Sequence, residues 1–201
     1  MSGNLLVTEG LGATGLPVVL LSLAPAAQQL VLTFETNIGL TGESLDASKW
    51  TVTAGSGITA VSVSGVSAIG NVITLQTTEH QLGGAYTLHI PQGIFESDGE
   101  GRPFIGPFDQ NYTGVGVQPT LLMVKGVDSR TIEVVFSEKV NAADAVNTSN
   151  YVVTGPSTVL VTSVTRITDL TYRVKTTAQN RAASYTLTVS NVRDMANNPL
   201  S

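Results

Sequence analysis

Leu30-Val-Leu-Thr-Phe34 and Ile132-Glu-Val-Val-Phe136 read as one strand written twice, their phenylalanines 102 residues apart. In each, the first, third and fifth residues are apolar. Successive side chains of an extended chain point to opposite faces, so these three share one face. The correspondence continues outward. Asp46-Ala-Ser-Lys-Trp-Thr-Val52 matches Asn147-Thr-Ser-Asn-Tyr-Val-Val153, and Leu75-Gln-Thr-Thr78 matches Val174-Lys-Thr-Thr177. Ala85-Tyr-Thr-Leu-His-Ile90 matches Ser184-Tyr-Thr-Leu-Thr-Val189, and Asp98 and Pro103 match Asp194 and Pro199. The offset drifts from 102 to 96 while the strand-like blocks stay intact. Loops absorb insertions and packed strands do not, so two copies of one domain are expected.

In the first copy the pattern predicts strands at 17–23, 30–34, 49–54, 58–64, 71–77 and 85–90. In the second it predicts 120–125, 131–137, 150–154, 158–165, 170–176 and 183–190. Gly, Pro, Asn and Asp punctuate the gaps, and no long helical period occurs. Short helical turns are expected near Gly42–Ser48 and Ala142–Thr148. The fold class is therefore all-β, a tandem pair of β-sandwiches. The expected division is an arm at 1–16, a first domain at 17–117 with a connecting segment at 104–118, and a second domain at 119–201. Phe104, Phe108 and Tyr112 make the connecting segment too aromatic for a free linker, so it is expected to pack on the first domain or the junction. Trp50 and Tyr151 stand at equivalent places and are expected in the cores.

The second copy also carries Phe136-Ser-Glu-Lys-Val140, Asn150-Tyr151, Tyr185-Thr-Leu-Thr-Val189 and Asn191-Val-Arg-Asp-Met-Ala-Asn197. This series resembles the bacterial immunoglobulin-like domain found in S-layer proteins and many multidomain surface proteins. The first copy is a degenerate version with Phe34-Glu-Thr-Asn37, Lys49-Trp50 and Tyr86-Thr-Leu-His-Ile90, ending in Asp98-Gly-Glu-Gly101. The resemblance covers residues 17 to 201. It implies two tandem immunoglobulin-like β-sandwich domains behind a short N-terminal arm. Such modules serve as spacers, adhesins and virion ornaments alike, so it implies no single function.

Composition narrows the partners. Charged residues make up 12% of the 201, the net charge is −5, and no Lys or Arg precedes Lys49. Nucleic-acid binding needs clustered cations and is not expected, nor is attraction to an anionic membrane. There is no cysteine, hence no disulfide and no thiolate metal site. Leu16–Leu23 is apolar but follows a segment with Glu9 and no basic residue, so it reads as a buried strand and not as a signal peptide. It is too short to span a membrane. Residues 1–16 are glycine-rich but contain Leu5, Leu6 and Val7. That make-up suits either an assembly arm that docks onto a neighbouring subunit or a frayed terminus.

Chemistry-bearing motifs are few. His80 sits in a polar loop and His89 alternates with Leu88 and Ile90, so both are expected to be exposed. Two histidines without cysteine fall short of a zinc site. No GxSxG elbow or P-loop occurs. Gly10-Leu-Gly-Ala-Thr-Gly15 has the letters of a dinucleotide fingerprint without the strand–helix unit around it. A Ser-His-Asp triad assembled by folding stays open. Glu96, Asp98 and Glu100 form the one dense acidic cluster. Asp98 and Glu100, with Asp194 and Asn197 in the matching loop, are candidate calcium ligands, because hard cations take carboxylate and carbonyl oxygens on loops. Otherwise no cofactor is expected.

The expected role is non-catalytic: a structural or binding protein, present in many copies or as a homo-oligomer among other virion or surface-layer proteins. With its own Met and no export signal, the sequence favours a virion component of a tailed phage, such as a capsid decoration, collar or tail-associated protein. The alternative is a bacterial cell-surface or S-layer-type adhesion or spacer module. A carbohydrate-binding module is remote, since aromatics total 5%.

Overall fold

The computed structural model describes residues 18–96, 102–106 and 108–201. Leu5, Leu6, Val7, Asp98 and Glu100 lie outside the described residues. The chain divides into two compact units, Met1–Val115 and Gly116–Ser201, and both are all-β.

The first unit contains β1 (Leu20–Ala26), β2 (Gln29–Phe34), β3 (Gly39–Leu40), β4 (Thr51–Ala54), β5 (Val63–Ile69), β6 (Val72–Thr77), β7 (Ala85–His89), β8 (Phe95–Glu96) and β9 (Asp109–Thr113). One antiparallel sheet runs β1-β2-β6-β5 and a second runs β4-β7-β9, with β3 and β8 paired apart. Their inner faces make one core. Leu30, Leu32, Phe34, Ile73 and Leu75 come from the first sheet, and Val52, Tyr86 and Leu88 from the second. Trp50 and the half-buried Phe95 and Phe104 pack edge to face or tilted around Phe34 and each other, with centroids 5.5–5.9 Å apart.

The second unit contains β10 (Leu121–Asp128), β11 (Thr131–Phe136), α1 (Ala142–Val146), β12 (Tyr151–Thr154), β13 (Val161–Arg166), β14 (Thr171–Thr176) and β15 (Thr186–Val189). Its sheets run β10-β11-β14-β13 and β12-β15. Ile132, Val134, Phe136, Tyr172, Val174, Tyr151 and Val153 fill its core.

Three details recur in both units and account for the repeated polar letters. Asp46 and Asn147 each accept from the backbone N–H two residues on, which starts a 3-10 turn. Trp50 Nε1 donates to Ser44 O at 3.0 Å and Tyr151 OH to Ala145 O at 2.6 Å, each reaching six residues back. Tyr86 OH accepts from Gln81 N at 3.0 Å and Tyr185 OH from Asn180 N at 2.9 Å, each five residues back. Trp50 and Tyr151 are thus core residues with a satisfied polar tip.

Two strands lie away from where the pattern put them. The expected strand at 17–23 is β1 at Leu20–Ala26, which contains Pro25. β1 is an edge strand, where a missing N–H is tolerated. The expected strand at 58–64 is β5 at Val63–Ile69. The apolar alternation shifts phase at Gly65, from Val61 and Val63 to Val66 and Ala68, and the pairing with β6 has its register shift at the same place. β9 was expected only as packed connecting segment. It pairs with β7, placing Tyr112 against the first core together with Phe104.

Candidate functional site

The second sheet of the first unit presents a polar outer face. Val52 and Leu88 point into the core, so Thr51, Thr53, Thr87, His89, Asp109 and Asn111 point out. On this face His89 Nδ1 lies 2.6 Å from Asp109 Oδ1, and His89 Nε2 lies 2.7 Å from Thr53 Oγ1. The carboxylate holds the proton on Nδ1, which leaves Nε2 to accept from the threonine hydroxyl. One position along, Thr87 donates to Asn111 Oδ1 at 2.8 Å. A shallow depression of about 530 Å³ lies beside them, lined by Thr53, Gly55, Ala85, Thr87, Asn111 and Thr113.

Hydroxyl, imidazole and carboxylate stand here in the order of a nucleophilic triad, which the sequence left open. The setting differs from that of a working triad. The side chains of His89 and Asp109 are 40% and 69% exposed. β7 pairs with β4 on one side and β9 on the other, so its N–H groups beside the imidazole are engaged in the ladder. An oxyanion needs donors aimed at it from a dry site. The row therefore brackets three strands. We expect His89→Ala to cost no more than about 1 kcal/mol in urea unfolding, the range for a cross-strand polar pair on a wet face.

His80 corrects the sequence reading. It was expected in solvent, and it is fully buried. Its ring meets Tyr86 and Tyr112 edge-on at 5.1 and 5.5 Å. Nδ1 donates to Ala27 O at 3.0 Å, which leaves Nε2 to accept from Tyr112 OH at 2.9 Å. Burial pushes the Tyr112 hydroxyl pKa up, so it stays a donor. Gly114 closes the lid: a Cβ there would stand 2.5 Å from Gln81 O and 2.6 Å from the Tyr86 ring. The loop carrying His80 is polar in letters, and the tyrosines that cover it lie 6 and 32 residues away.

Desolvation lowers the His80 pKa below the ordinary histidine value. The unfolded chain therefore takes up a proton near pH 6.5 that the fold refuses until lower pH. Stability must fall as pH drops below about 6.5 and level off below the folded pKa. Asp46, Asp128 and Asp144 have pKa values lowered by Ser48, Arg130 and Arg193 respectively. Their contribution is lost only below about pH 4. Thermal unfolding between pH 7.5 and 5 lies above the carboxylate range, and the slope should flatten in His80→Gln.

In the second unit Asp194 is 2% exposed. Its carboxylate accepts from Ala196 N at 2.8 Å, Asn198 N at 2.7 Å and Asn198 Nδ2 at 2.7 Å. Asn191 and Asn197 take the left-handed backbone at φ 53° and 69°, a conformation asparagine tolerates. The Asn-Val-Arg-Asp-Met-Ala-Asn run thus writes a self-stapled loop. Asp194 and Asn197, the candidate calcium ligands within the described residues, are placed by these bonds. Next to the loop, Arg193 pairs with both oxygens of Asp144 at 2.8 and 3.0 Å.

No protein-family model matches the chain, and no curated protein does. Among solved structures it is similar to the N-terminal part of the bacterial S-layer protein SbsC. The identity is 24%, over 42% of this chain and 22% of that one, with a TM-score of 0.39. The likeness thus spans about a fifth of that chain's length.

One signal for these sites was present in the sequence: Tyr86 and Tyr185 recur at one offset, and each hydroxyl reaches a backbone N–H five residues back. The Thr53–His89–Asp109 row had no local signal, since its members are separated by 36 and 20 residues and meet only through strand register.

Proposed function

We propose that the chain is a non-catalytic structural module, two immunoglobulin-like domains in tandem, acting as a spacer or adhesion element of a multicopy bacterial surface assembly. Strand order is the observation that carries the immunoglobulin-like reading. β1-β2-β6-β5 facing β4-β7-β9 reproduces the four-plus-three arrangement of the constant-type immunoglobulin sandwich. Tyr86 near the start of β7 and Tyr185 just before β15 supply its tyrosine corner. The non-catalytic reading is supported by the wet, ladder-bound setting of the Thr53–His89–Asp109 row. Hydrolysis of a chromogenic ester should be no faster with the native chain than with His89→Ala.

Such a module works passively: rigid sandwiches hold their loops and edges at fixed places, and repetition multiplies weak contacts. The same design would serve as an ornament on a phage particle. Quantitative mass spectrometry of the host cell envelope and of purified phage particles separates the two. Abundance in the envelope supports the surface module, whereas stoichiometric presence in particles replaces it with the virion role.

A further inference from the structure

At His80 the two copies of the repeat diverge. Its backbone N–H donates to Ala27 O at 2.8 Å, as that of Gln179 donates to Ser129 O at 2.8 Å. Gln179 is the matching residue, 99 positions on, as Thr176 matches Thr77. In the second unit the glutamine amide donates to Thr176 Oγ1 at 3.2 Å. In the first the imidazole turns instead to Ala27 O and Tyr112 OH, and the buried Thr77 Oγ1 has no partner. The repeat thus accepts a neutral amide at this place. The first unit puts a titratable ring there and leaves a hydroxyl orphaned.

The ring joins the two sheets of its unit. Nδ1 holds the turn between β1 and β2, and Nε2 holds Tyr112 on β9. β9 pairs with β7 alone among the described strands, whereas β7 is also held by β4. The end of β9 is tied to the loop that carries His80: Gly114 N donates to Gly84 O at 2.7 Å and Gly83 N to Gly114 O at 2.9 Å. A proton on Nε2 turns the acceptor for Tyr112 into a donor, so two donors face each other. It also places a charge in a fully buried site. β7 and β9 meet the ring with the Tyr86 and Tyr112 phenols, and the turn at Ala26 and Ala27 meets it with backbone carbonyls. Burial opposes the charge more strongly than Glu79, its neighbour in the chain, favours it. On the outer face of the same strands, a proton on His89 adds a charge opposite Asp109, so acid does not loosen β9 from that side.

We propose that His80 is an acid-operated latch on β9: as the ring takes up a proton, β9 leaves β7 while β1-β2-β6-β5 and β4-β7 stay packed. β9 is the part that gives because its departure breaks one ladder. Displacing β7 would break two, and the turn at Ala27 belongs to the four-stranded sheet. The charged ring then reaches water through the gap that Tyr112 leaves. The device works alike in an envelope or a particle.

The test is hydrogen exchange of the full chain, read as protection factors of single amides at pH 7.5 and 5.5. Once β9 has left, the ring regains the ordinary histidine pKa of about 6.5, so an opening coupled to one proton becomes about tenfold more populated at the lower pH. We expect the amides of Gln110, Tyr112 and Gly114, which face β7, to lose about tenfold in protection. At pH 5.5 they should lie at least about tenfold below Leu32 and Leu75 of the β2–β6 ladder, which exchange only when the whole unit opens. His80→Gln, which writes the second unit's residue into the first, should keep the same β9 protection at both pH values. Three results overturn the proposal: β9 amides equally protected at both pH values; β9 protection equal to that of Leu32 and Leu75 at pH 5.5, which makes the opening global; or a fall in His80→Gln as large as in the native chain. Should the variant fail to fold, the native chain decides by the fall and the gap together.

Discussion

Replacing Phe136 with alanine should cost the second unit about 3–5 kcal/mol, the range for truncating a fully buried aromatic side chain. Phe136 has no exposed surface and meets Tyr172 edge to face at 5.6 Å. Its strand is central, between β10 and β14, so the surrounding sheet has little freedom to collapse onto the void. Small domains hold only about 5–15 kcal/mol in all, so such a loss brings this unit near its unfolding threshold. The single tryptophan, Trp50, reports the first unit, and far-UV circular dichroism reports both. Urea unfolding should therefore show an early circular dichroism loss that tryptophan fluorescence does not follow. A change below about 1 kcal/mol would mean that Phe136 is not the core anchor of β11.

The sequence was legible where one period acts alone. Leu30, Leu32 and Phe34, with Ile132, Val134 and Phe136, mark their strands because an inner face alternates strictly with an outer one. The repeat then doubles each signal, since a coincidence seldom recurs a hundred residues on. Legibility failed where pairing decides. The alternation from Val61 to Ile69 changes phase at Gly65, and the Val63–Ile69 pairing with β6 chooses the strand. Asp109–Thr113 is polar enough to pass for a loop, and becomes a strand because β7 offers it an edge. His80 reads as solvent-exposed from its neighbours Glu79 and Gln81. Its burial is set by Tyr112 and Ala27, residues 32 and 53 positions away.

Asp194→Ala should cost about 2–4 kcal/mol. The substitution removes three acceptor contacts and strands the N–H groups of Ala196 and Asn198 in a buried loop, together with one Asn198 amide proton. Each buried orphan donor costs about 1–3 kcal/mol, partly offset because a buried carboxylate no longer has to be desolvated. Asp194→Asn keeps one oxygen for the two backbone donors and loses the Asn198 side-chain partner, so its loss should be about half as large. The urea midpoints of the native chain and both variants, in calcium and in EDTA, test this ordering. Since the carboxylate is committed to its own loop, the alanine variant should lose the same stability in both buffers. A loss confined to the calcium buffer would instead make Asp194 an ion ligand.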